Sequence, residues 1–437
     1  MRIVFIGSEV PNTEHSTVTY SAFLFIKALK NAGHDVLVVV LQPQYNYFDI
    51  ATRQRWMREC VEAGIQVEWV SFESSRKVSR FPGIPLIEKI RRLIWPQIAD
   101  YFPHIKLVGK IASHLTLVQP DIIFLWSSYE SVAATHGLQI APRFAFMGDP
   151  VHLPELFRQY PPFVAKRLPI SPSLLLTKLR AIQKSRLMIR LLSRCDAVTA
   201  GAAHHAEWFR RNGVPHCKYM PTIMAPDWGG LEWQNRRKQY PPNERFKIVL
   251  MGHVTGTATL SGLYLFANEI LPVLEKALGD SFEIHVCGKG NLPADLITKL
   301  DRPSVRLRGF VDDIVLELLT CDVFLVPTPI KLGIRTRILY AWSVGCCAIS
   351  HESNALGLAE MVHEENALLA PDGQALAQAI IRAYKDPDLR LRLRLGGRKT
   401  YETHFSPEVT SKKIIAEFER LASIWTLDKV HPWVLHS

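Results

Sequence analysis

The segment FKIVLMG, residues 246–252, decides the fold, because it repeats the pattern with which the chain begins. This segment and RIVFIG, residues 2–7, are both apolar-rich runs that end in a glycine and are followed by a loop and a stretch of helical periodicity. Such a run is typical of a strand buried in a parallel sheet. The repetition indicates two α/β halves of the same kind.

Strand-like runs alternate with helical stretches along the whole chain, which predicts parallel sheets with crossover helices. Helices are predicted at SAFLFIKALKNAGH (21–34), GLYLFANEILPVLEKALG (262–279) and VLELLT (315–320). The predicted strands are RIVFIG, DVLVVVL (35–41), IQVEWVSF (65–72), DIIFLW (121–126), RFAFMG (143–148) and DAVTAG (196–201) in the first half, and FKIVLMG, FEIHVCG (282–288), VRLRGF (305–310), DVFLVP (322–327) and CCAIS (346–350) in the second.

The length of 437 residues fits two domains of roughly 200 residues each. A segment rich in proline, glycine and polar residues, 221–246, is the best candidate for a linker. We therefore predict a first domain at 1–220, a second at 247–424, and a tail at 425–437 that crosses back onto the first.

The composition, 48% hydrophobic and 21% charged, is that of a folded soluble protein. None of the seven cysteines forms a CxxC pair, and most lie in or beside apolar runs, which predicts buried, reduced thiols in a cytoplasmic protein. The apolar stretch at the start is too short for a signal peptide, and we expect no membrane span, so that any membrane contact is peripheral.

The net charge of +11 belongs to the first half, where residues 1–220 hold 27 Lys/Arg against 16 Asp/Glu. It concentrates in two segments, 76–110 and 163–194, whose basic residues alternate with apolar ones. Basic amphipathic segments are typical of proteins that bind an anionic membrane surface. The alternative is a solvated helix face. Nucleic acid is less favoured, since no motif for binding it accompanies the charge.

Ligands of open α/β sheets bind beyond the carboxyl ends of the strands, which directs attention to Gly7, Gly252 and Gly288. No phosphate-binding P-loop and no dinucleotide fingerprint follows any of them. No His/Cys/Asp/Glu spacing matches a known metal site, and we predict no metal and no cofactor.

The stretch PIKLGIRTRILYAWSVG, residues 329–345, is predicted to be a loop that enters a helix, with Arg335 and Arg337 in the first turn. Cations there oppose the helix dipole at a cost of about 0.3–1 kcal/mol each. A bound anion reverses that sign, and two guanidinium groups with free backbone donors suit a diphosphate. The alternative is that both arginines face solvent or pair with Asp312 and Asp313.

In the first half, His15, Asp149 and His152 lie at predicted strand-to-loop positions where a group can touch a bound sugar. The alternatives are ordinary: Asp149 is a usual residue before a turn proline, and an isolated histidine is more often structural.

Almost all of residues 247–400 resembles the retaining GT-B glycosyltransferases of family 4, especially a bacterial branch of surface-glycan synthesis. The similar segments include KIVLMGHVTGTATLSGLYLFANEILPVL, FEIHVCGKG, VRLRGFVDDIVLELLTCDVFLVPTPI and GIRTRILYAWSVGCCAIS. The first half is similar more loosely, through GHDVLVV and DAVTAGAAHHAEWFRRNGVPHCKYMPT.

The resemblance implies a GT-B fold, two Rossmann-like doubly wound domains facing across a cleft, and a metal-independent, retaining, hexosyltransferase-type enzyme that uses a nucleotide sugar. It implies that Arg335 and Arg337 hold the diphosphate, and that Asp149 or His152 helps to position the sugar. The remaining expected positions are Gly252, His253, Gly288, Phe310, Val311, Leu332, Gly333, Ile334 and Tyr340 on the donor side and His15 and Ser16 on the acceptor side.

The family's usual two glutamates, eight positions apart, are replaced here by Leu332 and Tyr340. We expect a peripheral enzyme at the inner face of the membrane that transfers a sugar to a lipid-linked or polysaccharide acceptor. The alternatives are a non-catalytic GT-B protein that binds nucleotide or glycan and scaffolds a partner enzyme, and, less favoured, a sugar-nucleotide epimerase of the same fold.

Overall fold

A computed structural model describes residues 1–14, 17–43, 49–72, 103–159, 172–221, 225–241 and 243–430. Among these, one compact unit (unit 1) comprises residues 1–156, 172–221 and 410–430, and a second (unit 2) comprises residues 157–159 and 225–409. Each unit is built on one parallel sheet.

Unit 1 contains a seven-stranded sheet of order β3-β2-β1-β4-β5-β6-β7. Its strands are β1 Arg2–Gly7, β2 Asp35–Pro43, β3 Gln66–Phe72, β4 Ile122–Trp126, β5 Arg143–Met147, β6 Ala197–Ala200 and β7 Cys217–Tyr219. Its helices are α1 Thr17–Asn31, α2 Ile50–Glu62, α3 Val108–Val118 after the short 3-10 turn Pro103–Leu107, α4 Tyr129–Ala134, α5 His152–Gln159, α6 Pro172–Leu192 and α7 Ala203–Arg211.

Unit 2 contains a six-stranded sheet of order β10-β9-β8-β11-β12-β13. Its strands are β8 Phe246–Met251, β9 Phe282–Cys287, β10 Val305–Gly309, β11 Val323–Val326, β12 Ala348–His351 and β13 Ala367–Ala370. Its helices are α8 Trp233–Lys238, α9 Thr257–Leu265, α10 Leu271–Leu278, α11 Ala294–Leu300, α12 Ile314–Thr320, α13 Thr336–Ser343, α14 Gly373–Lys385 and α15 Pro387–Thr400, with α16 Pro407–Val430 at the end of the chain.

All eleven predicted strands are confirmed, as are the three predicted helices. In each sheet the first strand lies between the second strand and a later one, as β1 does between β2 and β4 and β8 does between β9 and β11. This reversal of strand order is the topological switch point, beside which doubly wound sheets bind their ligands. The doubly wound α/β class predicted from the sequence is therefore confirmed.

The last helix, α16, runs from unit 2 into unit 1, and its residues from Thr410 onward belong to unit 1. The predicted boundaries place residues 410–424 in the second domain instead. Residues from Thr410 onward belong to unit 1 because the buried ring of Phe418 packs there. Its ring lies edge-on against those of Phe124 and Phe144, with centroids 5.1 and 5.0 Å away. Edge-to-face contacts of this kind add to the burial of the ring itself.

One helical run among the described residues, Thr257–Leu278, is long and apolar enough to cross a membrane by length and composition. The sequence analysis expected no such stretch. In unit 2 this run packs in the core, where Phe266, Ile270, Leu271 and Leu274 are buried under the sheet. A core helix of a soluble protein passes the same test, so the run has an explanation within the fold.

A buried ion cluster ties α12 to three strands of unit 2. The Glu317 carboxylate lies 2.8 Å from Lys247 Nζ on β8, 2.9 Å from His285 Nδ1 on β9 and 3.2 Å from Arg308 Nη2 on β10. Burial alone would raise the pKa of Glu317, but hydrogen bonds from His285 and Lys247 lower it to about 2. The cluster thereby fixes β10, which leads to Phe310.

Candidate functional site

The carboxyl ends of β8 and β9 lie so close in unit 2 that only glycine fits there. A Cβ atom on Gly288 would lie 1.7 Å from the carbonyl oxygen of Gly252. A Cβ atom on Gly252, whose φ of +150° already favours glycine, would lie 2.4 Å from Nη1 of Arg337. Both glycines were predicted at the site, and the structure brings them together with Arg337.

Arg337 is held by three hydrogen bonds at these strand ends. Its Nη1 donates to the carbonyl oxygen of Met251 and to Thr259 Oγ1, both at 2.8 Å. Its Nη2 donates to Thr328 Oγ1, also at 2.8 Å. The side chain therefore joins the ends of β8 and β11 to α9 and α13 and positions the other groups of the site.

Arg335 occupies the N-cap position of α13, with φ −89° and ψ 82°, and so precedes the helix. The prediction that both arginines lie within the first turn is therefore wrong for Arg335. The cause is the turn before it, in which Gly333 adopts φ +59°. Of the two arginines, only Arg337 lies in the first turn of α13, and this turn contains no acidic residue.

The two arginines influence each other electrostatically. Burial, together with the positive charge of Arg335, lowers the pKa of Arg337 to about 9. At neutral pH both guanidinium groups are therefore charged, beside the positive end of a helix of eight residues. An anion placed there relieves this repulsion and accepts from the backbone donors of α13.

Tyr340 is buried in unit 2, where its ring stacks on Trp228 with centroids 4.4 Å apart and an angle of 21° between the planes. Trp228 belongs to the predicted linker segment. A second contact holds this segment to unit 2, since both carboxylate oxygens of Asp227 accept hydrogen bonds from Arg398, at 2.5 and 2.8 Å. The sequence did not predict this stack. A role of the Tyr340 hydroxyl toward a ribose stays a prediction.

Phe310 stands at the carboxyl end of β10 with 61% of its surface exposed. The Lys289 ammonium lies 4.2 Å from the centroid of its ring, a cation–π contact. A flat, exposed aromatic face next to the strand ends suits a planar base, and the donor-side role of Phe310 stays a prediction. Val311 follows it, half-buried.

The remaining predicted donor-side residues lie in the loops of unit 2. His253 is exposed, and its Nδ1 lies 2.9 Å from Thr255 Oγ1. Leu332, Gly333 and Ile334 form the half-buried loop before α13.

In unit 1, Asp149 and His152 follow β5, beside the end of β6. The Asp149 carboxylate lies 3.4 Å from Nδ1 of His205, and the Tyr129 hydroxyl donates to the Asp149 carbonyl oxygen. The ring of His152 lies 5.0 Å from that of Trp208, and burial lowers the pKa of His152. At neutral pH His152 is therefore an uncharged imidazole that can accept a hydrogen bond.

His205 was missed by the sequence analysis. It is buried in α7 just after β6, next to His204, whose ring centroid is 4.0 Å away. The pair of histidines following a glycine-terminated strand in DAVTAGAAHH was the available signal. The predicted acceptor-side residues His15 and Ser16 lie outside the described residues.

Within the described ranges, no group of three or more His, Cys, Asp or Glu side chains is arranged to hold a metal ion. All seven cysteines are buried, as predicted, and no disulfide joins any two of them.

Comparison with solved structures shows the same two-sheet architecture over nearly the whole chain. HepE of Anabaena in complex with UDP is 13% identical and covers 96% of this chain and 100% of its own, with a TM-score of 0.65. This chain has the GT-B fold. A glycosyltransferase of Rickettsia africae is similar at 12% identity, covering 96% and 98% of the two chains with a TM-score of 0.62.

Sucrose-phosphate synthase of Thermosynechococcus elongatus is 14% identical to this GT-B chain and covers 97% and 99% of the two chains, with a TM-score of 0.63. Residues 245–386 match the family model of glycosyl transferases group 1. This match contains the strand ends and both arginines of the candidate site, and it supports glycosyl transfer. A search of curated proteins found no match.

The two arginines are predicted to differ in their effect on stability. Arg337→Ala leaves the Met251 carbonyl and two hydroxyl groups without their donor, so we expect the free energy of unfolding of unit 2 to fall by about 1–3 kcal/mol. Arg335→Ala keeps these three hydrogen bonds and removes the positive charge that acts on Arg337, so we expect a smaller loss than for Arg337→Ala. Urea unfolding followed by circular dichroism measures both. An equal fall in the free energy of unfolding in the two variants would contradict the different positions of Arg335 and Arg337.

Proposed function

We propose that this protein is a retaining glycosyltransferase that transfers a sugar from a nucleotide-diphosphate donor to a lipid-linked or polysaccharide acceptor. The observation that carries the proposal is the cluster of Gly252, Gly288, Arg335 and Arg337 at the switch point of unit 2, within the segment that matches glycosyl transferases group 1. HepE, which shares the fold, has been solved with UDP and with UDP-glucose.

The donor's diphosphate is proposed to lie at the amino end of α13. Arg335 supplies a guanidinium group there, and Arg337 supplies positive potential while it keeps the strand ends in place. A departing nucleoside diphosphate gains negative charge as the glycosidic bond breaks. Fixed cations and backbone donors aimed at that charge lower the barrier of the reaction.

The transfer is proposed to proceed with retention at the anomeric carbon. The bond from that carbon to the diphosphate oxygen breaks, the acceptor oxygen forms its bond on the same face, and the leaving phosphate oxygen takes the acceptor's proton. This route needs no pair of catalytic carboxylates. Asp149, oriented by His205 and Tyr129, and His152 are the groups of unit 1 proposed to bind the sugar hydroxyls.

Helix α6 supports the proposed contact with an anionic membrane. Its first half exposes Leu175, Leu179 and Ile182, which at spacings of four and three residues share one face of the helix. The exposed cations Arg180 and Arg186 flank this stripe. Residues 163–171 of this basic segment and residues 76–102 of the other one, 76–110, lie outside the described residues. A location at the inner face of the membrane in the cytoplasm is part of the same proposal.

A second candidate function is a non-catalytic GT-B protein that binds nucleotide or glycan and scaffolds a partner enzyme. The burial of Tyr340 against Trp228 favours it, because the position expected to carry a ribose-binding glutamate is used for packing instead. The three hydrogen bonds that Arg337 donates also stabilise the fold of unit 2.

Transfer is tested with the purified full chain, a panel of radiolabelled nucleotide sugars and a lipid extract of bacterial membranes. We expect label from one donor to enter the lipid or glycan fraction, in a product whose anomeric configuration by NMR is that of the donor. Asp149→Asn should lower the rate about tenfold or more by misplacing the reacting sugar, whereas Asp388→Asn, on the exposed side of α15, should not. Nucleotide binding without transfer from any donor would support the second candidate.

Membrane binding is tested by sedimentation with vesicles that contain anionic lipid. We expect binding that weakens as salt rises, since ions screen the attraction between Arg180, Arg186 and the surface. The triple change of Leu175, Leu179 and Ile182 to serine should reduce sedimentation. Matched changes at two other exposed leucines, Leu117→Ser and Leu231→Ser, should leave it unchanged. Equal sedimentation of the two variants would contradict a membrane role for α6.

A further inference from the structure

Two buried cysteines of unit 2 lie side by side although they are 25 residues apart in sequence. Cys321 follows α12 and precedes β11, and Cys346 lies between α13 and β12. Their sulfur atoms are 3.6 Å apart, and each thiol lies 3.2 Å from the same acceptor, the carbonyl oxygen of Leu318. The shared acceptor holds the sulfurs together, and an approach of about 1.5 Å would bring them to the length of a disulfide bond.

Two arginines surround this pair. Arg237 Nη2 donates to the Cys321 carbonyl oxygen at 2.6 Å, and its Nη1 lies 3.9 Å from Cys346 Sγ. Arg394 Nη2 donates to the same Cys321 carbonyl at 3.3 Å. The guanidinium groups come from α8 and α15, so the fold places two positive charges beside the sulfurs from two directions. A thiolate is stabilised in such surroundings.

The two sulfurs differ in acidity. The hydrogen bond with Cys346, together with the charges of Arg237 and Arg394, lowers the pKa of Cys321, against the opposing effects of burial and of Asp322. Burial raises the pKa of Cys346, and burial raises the pKa of the adjacent Cys347 to about 12. Cys321 thus resembles an attacking thiol, and Cys346 the thiol that resolves the product.

A cavity of unit 2 borders Cys321, which is itself buried with 1% of its surface exposed. The residue lines a cavity of about 550 Å³, together with Arg237 and Arg394 and the aromatic side chains Trp233 and Tyr240. This cavity is distinct from the strand ends that form the candidate site, and nothing in the proposed transfer reaction uses it.

We propose that Cys321 and Cys346 are a redox pair that hydrogen peroxide converts to a disulfide. The Cys321 thiolate attacks one peroxide oxygen, the O–O bond breaks, and a sulfenic acid and hydroxide form. The Cys346 thiol then attacks the sulfenic sulfur, the S–O bond breaks, and water leaves as the S–S bond forms. Peroxide is reduced, and the two thiols are oxidised.

The disulfide would join the segment before β11 to the segment after α13. Helix α13 carries Arg337, whose partner Thr328 follows β11, so the new bond would link the same two elements at their opposite ends. Oxidation is therefore proposed to restrict α13 relative to the sheet, whether or not the protein transfers sugars.

The pairing is tested by treating the native full chain with hydrogen peroxide and then blocking the remaining thiols before mass spectrometry without reductant. We expect the loss of two hydrogens and a linked peptide that contains Cys321 and the Cys346–Cys347 segment. Because those two residues are adjacent, variants assign the bond: Cys321→Ala and Cys346→Ala should each abolish it, and Cys347→Ala, the matched control, should retain it. The proposal would be overturned if the disulfide were lost in Cys347→Ala and retained in Cys346→Ala. It would also be overturned if the disulfide formed only after denaturation.

The role of the arginines is tested by the rate. Oxidation should become faster as pH rises through the neutral range, since the thiolate is the attacking form. Arg394→Gln should slow oxidation several-fold at pH 7 and by a smaller factor at pH 9, where more of Cys321 is thiolate. A rate that does not change with pH in the native chain, or a variant equally slow at both pH values, would contradict attack by a Cys321 thiolate.

Discussion

The hydrogen bonds of Arg337 are the interaction on which the candidate site depends. One guanidinium group ties the last carbonyl of β8 to hydroxyl groups from α9 and from the loop after β11. A planar, permanently charged donor with several N–H groups can do this, and lysine cannot satisfy the same acceptors with the same geometry. Gly252 favours glycine because its φ is +150°, and a Cβ there would also displace the guanidinium of Arg337.

This geometry gives Arg335 and Arg337 different roles, although the sequence predicted the same role for both. Both were predicted to hold a diphosphate, because cations at a helix start favour a bound anion and because the family resemblance implies that role. In the structure one of them is committed to the fold, and the other stands at the N-cap, half-exposed. The positive potential at the start of α13 is thus partly structural, and Arg335 becomes the residue through which diphosphate binding is best tested.

Much of the fold could be predicted from the sequence because most strands lie in apolar runs, several of which end in glycine. Two short strands, Cys217–Tyr219 and Ala367–Ala370, were missed. The position of Arg335 before α13 depends on the loop in which Gly333 adopts a positive φ. The assignment of residues 410–424 to unit 1 depends on Phe418, whose aromatic partners are hundreds of residues away in sequence. The stack of Trp228 on Tyr340, the contact of Asp149 with His205 and the pairing of Cys321 with Cys346 are likewise long-range contacts that no local pattern encodes.

The central claim is that a nucleoside diphosphate binds at the amino end of α13. Isothermal titration calorimetry measures the affinity for UDP of the native chain, of Arg335→Ala and of the exposed-arginine control Arg392→Ala. Uridine, which lacks the diphosphate, is titrated for comparison. The account predicts that Arg335→Ala weakens UDP binding by about 1.5–3 kcal/mol, the range of a hydrogen bond to a charged group, and leaves uridine binding and the control unchanged. UDP binding of equal strength in all three proteins, or no UDP binding by the folded native chain, would contradict it.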